Sequence, residues 1–113
     1  MMAPSLDEIP THWDEMDRKD ATFLIMTMID HYHYHPQKVQ DVQFIINQYY
    51  KGHVMMNDVR AYAVELHRQA RLCDQLKERY FMRALAHALS TIHVKEHALK
   101  CLLYLKKFLG EDA

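Results

Sequence analysis

Histidines at spacings suited to chemistry stand near the carboxyl end of the chain, in RALAHALSTIHVKEHA. His93 and His97 are four residues apart and would face one side of the last helix, as two ligands of a helical zinc site do. Zinc needs at least a third protein ligand, and His67 and His87 are available. HVKEH lacks the glutamate placement of the HExxH motif, and Glu96 projects about 100° away from His97. A metal-binding helical protein that uses the four histidines is therefore one hypothesis.

The same stretch alternates small residues with polar ones, and this pattern favours close packing of helices over metal binding. Alanines such as Ala84 and Ala88 let neighbouring helices approach, and buried imidazole or guanidinium groups must then find hydrogen-bond partners. Packing explains the pattern without catalysis and without a metal. We therefore expect a buried polar network that consists of His67, Arg71, Arg83, His87, Thr91, His93 and His97.

A second histidine motif, HYHYH, runs from His31 to His35 and is followed by Pro36. Its alternate histidines could converge on one metal ion only if the backbone were extended, because in a helix their rings diverge by about 200°. Histidinium also interacts favourably with the carboxyl end of a helix. The motif therefore indicates a helix end with partly exposed rings rather than a metal site.

Other signatures of enzymes are missing from the sequence. With two glycines in the whole chain, a glycine-rich phosphate loop is nearly excluded, and there is no Gly-x-Ser-x-Gly elbow. Cys73 and Cys101 stand singly within helical patterns, which favours buried free thiols over a disulfide or a catalytic thiolate. We expect a protein that is not an enzyme and needs no cofactor.

The elements that must position these residues are helices. The chain of 113 residues is half apolar and poor in glycine and proline, which predicts an all-α fold built as one helical domain over residues 1–113. Residues 1–13 carry Pro4 and Pro10 without apolar periodicity and are interpreted as an irregular arm. The remainder predicts a compact bundle or array of about five antiparallel helices with short connections.

The expected helix boundaries rest on caps and breakers. The first helix is expected to begin near Asp14 and to end before Pro36, which opens the second helix, and Gly52 suits a left-handed cap after it. Asn57 or Asp58 would cap the third helix, and Asp74 the fourth, which would end near Ser90 and Thr91. The fourth helix would bury Leu76, Tyr80, Ala84 and Ala88. The last helix would end at Gly110 and would have two apolar rows, one of Val94, Ala98, Cys101, Leu105 and Phe108 and a second of Leu102 and Leu109.

Charge is distributed unevenly along the chain. The net charge of −1 gives no drive toward nucleic acid or a membrane surface. Residues 1–35 carry seven acidic and two basic residues, a net of −5, so the remainder sums to +4. Such a bipolar surface suits a protein partner, and we expect the contact to lie on an acidic face formed by Asp14, Glu15, Asp17 and Asp20. No apolar run is long enough to span a bilayer and the first residues do not resemble a leader, so a cytoplasmic protein is expected.

The chain resembles a family of small all-helical immunity proteins from bacterial polymorphic toxin systems. The likeness covers about residues 35–108 and is carried by HPQKVQDVQFIINQYYKGHV, AYAVELHRQAR and RALAHALSTIHVKEHALKCLLYLKKF. The family pattern has a proline-led helix that ends in an aromatic residue and a glycine, then a histidine and an arginine, then R-A-x-x-H-A-x-x-T-x-H-V-x-x-H-A. The matching positions are Pro36, Tyr49 to Gly52, His67, Arg71, Arg83, Ala84, His87, Thr91, His93, Val94, His97 and Ala98.

The resemblance implies that the chain binds and neutralises a cognate protein toxin in the cytoplasm of the producing cell, without catalysis. Two other hypotheses stay open on the residues alone. One is the metal-binding helical protein described above, and the other is an interaction module with an unrelated protein partner. Association of the chain with itself as a homo-oligomer also stays open.

Overall fold

The computed structural model describes residues 13–111, and these residues form five α-helices. The helices are α1 (Arg18–His31), α2 (Pro36–Tyr50), α3 (Met56–Leu72), α4 (Leu76–Ser90) and α5 (His97–Gly110). Residues 13–111 contain no strand, so the expected all-α class is confirmed. Most of the expected arm, residues 1–12, lies outside the described residues, as do Asp112 and Ala113.

Helix α1 begins four residues later than expected. Residues 13–15 form a 3₁₀ turn, and Asp17 then takes the N-cap position, where its carboxylate accepts a hydrogen bond of 2.7 Å from the backbone N–H of Asp20. A side-chain oxygen at the N-cap satisfies one of the backbone N–H groups that a first turn leaves without a partner. The capping chemistry therefore starts the helix at Arg18 rather than near Asp14.

The HYHYH segment forms the expected helix end. Helix α1 ends at His31, and His33 and His35 both adopt left-handed backbone angles, with φ of 51° and 44°. Pro36 then opens α2, where its fixed φ suits the first turn and its missing N–H costs nothing. Gly52, with φ of 79°, confirms the expected left-handed residue after α2.

Two expected caps are wrong by one to three positions. Helix α3 begins at Met56, so Asp58 is its third residue. The Asp58 carboxylate accepts a hydrogen bond of 2.9 Å from the backbone N–H of Met55. The carboxylate thus stabilises the helix start from inside the first turn. In the next connection Gln75, not Asp74, is the N-cap of α4.

Helix α5 also begins later than expected. Helix α4 ends at Ser90 as expected, but α5 begins only at His97, and turns fill the connection between them. The hydroxyl of Thr91 donates to the carbonyl oxygen of His87, 2.9 Å away, which is a local bond that competes with a new helix. Val94 therefore lies in the connection, where it is 39% exposed.

Helix α4 is the centre of the fold, because its most extensive packing is against both α3 and α5. Its core face includes Phe81 and Leu85, which are fully buried although the expected core of this helix did not include them. Expected core residues Leu76 and Leu109 are instead 44% and 37% exposed. The other expected core positions of α5 are buried: Ala98, Cys101, Leu102, Leu105 and Phe108.

Both cysteines are free thiols, as expected. Cys101 is buried in the core and Cys73 is half-buried at the end of α3. Burial raises the pKa of both thiols, which keeps them in the unreactive protonated form. None of the helices between residues 13 and 111 is long and apolar enough to cross a membrane.

Candidate functional site

Four histidine rings from α3, α4, α5 and the connection between α4 and α5 come together in what we call the histidine cluster: His67, His87, His93 and His97. The ring centroids of His67 and His87 are 4.9 Å apart, those of His87 and His97 are 5.1 Å apart, and those of His93 and His97 are 5.8 Å apart. The cluster exists because α4 carries His87 between its two main packing partners, α3 and α5.

Hydrogen bonds connect the cluster to Arg83, which stands one helical turn before His87 on the same face of α4. The Arg83 Nη1 donates to Nδ1 of His67 over 2.9 Å, so the His67 ring must be neutral and carry its proton on Nε2. The Nδ1 atoms of His87 and His97 are also 2.9 Å apart. One of these two rings donates and the other accepts, so at most one of them can be charged while the bond persists.

Only some of the seven residues of the expected polar network contact one another. Arg83 and the histidine cluster are in mutual contact, whereas Thr91 is buried behind them and bonds to a backbone carbonyl. Arg71 is exposed and acts on His67 only through its charge. His93 lies in the α4–α5 connection rather than on the last helix, and its buried Nδ1 has no hydrogen-bond partner within residues 13–111.

Tyr104 joins the cluster although the sequence analysis did not include it. Its ring stacks on His87 at a centroid distance of 5.5 Å and an interplanar angle of 6°. Tyr104 is seven residues after His97, so the two side chains share a face of α5. The spacing of seven residues could have indicated Tyr104 from the sequence, but only if the start of α5 at His97 were known.

The environment of the cluster disfavours protonation of its rings. Burial, and then the charges of His67, His97, Lys100 and Arg83, lower the pKa of His87 from 6.5 to about 4. The pKa values of His67, His93 and His97 are also lowered, in each case mainly by burial. At neutral pH the cluster therefore consists of neutral rings beside a charged guanidinium.

Acid is expected to destabilise the protein through this cluster. Because the folded state lowers the pKa of His87 from 6.5 to about 4, its contribution is complete above pH 6.5 and is lost as the pH falls toward 4. We expect a loss of about 1–2 kcal/mol in the free energy of unfolding, after allowing for solvent screening of a half-exposed ring. Urea denaturation at several pH values measures this loss of unfolding free energy.

A matched pair of variants isolates this effect from other titrating groups. His87→Gln should flatten the pH dependence in this range, whereas His53→Gln, at an exposed histidine in the α2–α3 connection, should leave it unchanged. Equal pH dependence in the wild type and in His87→Gln would show that the cluster does not control acid stability.

The same side chains do not form a metal site within residues 13–111. No group of three histidine, cysteine, aspartate or glutamate side chains in that range is placed to hold one ion. Because Arg83 donates to Nδ1 of His67, the proton of that ring is on Nε2, and neither nitrogen has a free lone pair in this arrangement. The hypothesis of a site built from His67, His87, His93 and His97 thus lacks the geometry that it requires.

The acidic face surrounds the start of α1. Asp14 and Glu15 are exposed in the 3₁₀ turn, and Asp17 and Asp20 are exposed in the first turn of the helix. Two residues next to this face, Trp13 and Arg18, contact the α4–α5 connection. Lys95 donates to the carbonyl oxygen of Trp13 and lies over the Trp13 ring, with Nζ 4.4 Å from the centroid.

Arg18 supplies the other contact, because its Nη1 donates to the carbonyl oxygen of His93 over 3.2 Å. These contacts hold Trp13 and the first residue of α1 against the α4–α5 connection.

One comparison with known proteins found a family that matches this chain. The model of the family described as "Imm-5 like putative immunity protein" matches residues 21–113. A search of curated proteins and a search of solved structures found no match. The family match includes all residues of the histidine cluster and covers most of the chain, and it extends beyond the resemblance seen in the sequence motifs. The chain therefore belongs to the Imm-5 like family.

Proposed function

We propose that this protein binds a cognate bacterial toxin and neutralises it by occlusion, without catalysis. The observation that carries the proposal is the family match over residues 21–113. Inhibition by occlusion requires a stable complementary surface rather than a reactive group. The buried Cys101 thiol fits this requirement, because burial raises its pKa and keeps it in the protonated, unreactive form.

The acidic face is the contact surface that we favour. Four exposed carboxylates, those of Asp14, Glu15, Asp17 and Asp20, project from one short segment. Opposite charge on a partner accelerates association and fixes the orientation of the complex. We therefore expect the toxin to present a basic surface to the start of α1.

A groove between α1 and α2, lined by both apolar and polar side chains, extends the surface that we propose. It has a volume of about 160 Å³ and is lined by Phe23, Met26, Thr27, Gln43, Ile46 and Asn47. Phe23 is 39% exposed and lies 5.7 Å from the ring of Tyr50. An exposed aromatic side chain next to a groove is the usual form of an energetic anchor in a protein interface.

Coexpression tests the proposal. A candidate toxin is expressed in cells with and without the protein, and a tagged form of the protein is used to recover a complex. We expect full survival with the wild-type protein and recovery of the toxin with it. Continued killing together with failure to recover any complex would refute the proposal.

A variant that affects only the contact surface makes the experiment sharper. Phe23→Asp replaces the exposed aromatic side chain of the groove with a charge and should restore killing if the groove contacts the toxin. Val64→Asp, at a residue on α3 that is 66% exposed, is the matched control and should protect cells like the wild type. Both proteins must show the wild-type helical content before the result is interpreted.

A further inference from the structure

The region around Arg83 concentrates positive charge that no carboxylate in the described chain neutralises by direct contact. Arg83 is half-buried, and its hydrogen-bond partner within residues 13–111 is a neutral ring, that of His67. Among the described residues, Arg68 forms an ion pair with Glu65, and the His35 ring lies 3.2 Å from a carboxylate oxygen of Glu78, and neither contact involves Arg83. A half-buried guanidinium normally has a carboxylate or another anion beside it.

The groups that face the cluster from each packed element are mostly cationic. Helix α3 contributes Arg71 and α5 contributes Lys100, and both charges act on the rings. Glu96 opposes them at His97, while Arg60 and Arg18 add positive charge at His93. The potential at the cluster is therefore positive, and it would attract a small anion.

We propose that Arg83, together with His67, His87 and His97, forms a binding site for a small oxyanion, namely a carboxylate or a phosphate group. Arg83 has five N–H donors and uses Nη1 toward His67. Its remaining N–H groups match the geometry of an oxyanion, which guanidinium binds with two parallel hydrogen bonds. The Nε2–H of His67 is a further donor.

Proton uptake would accompany binding at this site. The Nδ1 atoms of His87 and His97 share one proton, so one ring can become an imidazolium and still donate to the other. A bound anion would stabilise that imidazolium and would oppose the burial and cationic charges that now lower the pKa of both rings. Binding should thus strengthen as the pH falls from about 7.5 to about 6.

This site consists of residues other than those of the acidic face, and its test does not require a toxin. Sodium phosphate and sodium acetate are titrated into the ¹⁵N-labelled wild-type protein at constant ionic strength, with chloride as the balancing anion. The side-chain nitrogen signals of the histidines are followed at pH 7.5 and pH 6. We expect saturable shifts of His87 and His97, a higher pKa of the pair when the anion is bound, and tighter binding at pH 6.

The two anions distinguish the sources of the ligand. Tighter binding of phosphate indicates a phosphate group, free or attached to a larger molecule, and tighter binding of acetate indicates a carboxylate such as that of an acidic side chain. Either result supports an oxyanion site. Shifts that do not saturate, or that chloride reproduces at equal ionic strength, would overturn the proposal.

Variants locate the anion. Arg83→Gln should weaken binding at least tenfold, since hydrogen bonds between charged groups are stronger than those between neutral ones. Arg68→Gln is the matched control on an exposed part of α3, where Arg68 pairs with Glu65 at 2.6 Å, and it should leave binding unchanged. If Arg83→Gln does not fold, Lys100→Gln at an exposed position should weaken binding severalfold. Unchanged affinity in the folded variants would contradict the assignment.

Discussion

Replacement of Phe81 by alanine is expected to lower the free energy of unfolding by about 3–5 kcal/mol. Phe81 is fully buried on α4, the helix that packs between α3 and α5. Its ring centroid lies 4.8 Å from that of Tyr34 and 5.2 Å from that of Phe108. The substitution removes the ring contacts and leaves a cavity that helices held on both sides can fill only in part.

Urea denaturation followed by helical circular dichroism measures this change. Phe44→Ala is the matched control, because Phe44 is 61% exposed on α2, and we expect its effect to stay within about 0.5 kcal/mol. Phe81→Leu should lie between the two and provides a folded variant if Phe81→Ala denatures. Similar losses for Phe81→Ala and Phe44→Ala would show that α4 is not the centre of the core.

Neutralisation of two residues of the acidic face is expected to slow association with the toxin about tenfold at low salt. The variant is Asp17→Asn with Asp20→Asn, and it removes two negative charges from the first turn of α1. Asparagine at position 17 can still cap the helix, as Asp17 does by accepting from the N–H of Asp20. The loss should therefore reflect charge rather than helix stability.

Stopped-flow or surface-based association kinetics measure the rate. The control, Asp74→Asn with Glu111→Gln, removes the same charge from exposed positions outside the acidic face and should change the rate much less. The difference between the two variants should shrink as salt is raised from 0.01 M to 0.15 M, where the screening length falls from about 30 Å to about 8 Å. Equal rates for both variants at low salt would place the contact elsewhere.

Local sequence signals predicted the helices well because caps and breakers act within a few residues. Pro36 and Gly52 mark the boundaries of α2, and both have the backbone roles that their chemistry requires. The errors also have local causes. Several polar residues near Asp17, Asp58 and Asp74 could each serve as a cap, and apolar periodicity does not choose among them.

The site was less predictable because it depends on contacts between helices. Spacing along the chain links His97 to Tyr104 and Arg83 to His87, but it cannot show that His67 meets His87 across α3 and α4 at 4.9 Å. Similarly, His93 and His97 were expected on one helix, and their rings instead meet across the start of α5. The expected network included Arg83 and the four histidines, but it also included the exposed Arg71 and omitted Tyr104, and the geometry of the cluster depends on the packing of three helices.

A titration of toxin activity with the purified protein tests most directly whether neutralisation occurs by binding without catalysis. The toxin is held at a concentration well above the dissociation constant, and its remaining activity is measured after each addition of the protein. The account predicts a linear fall that reaches zero at one molecule of this protein for each toxin molecule, with activity regained when the complex is dissociated. Complete and irreversible loss of toxin activity at a small fraction of that ratio, or no loss at an excess, would contradict it.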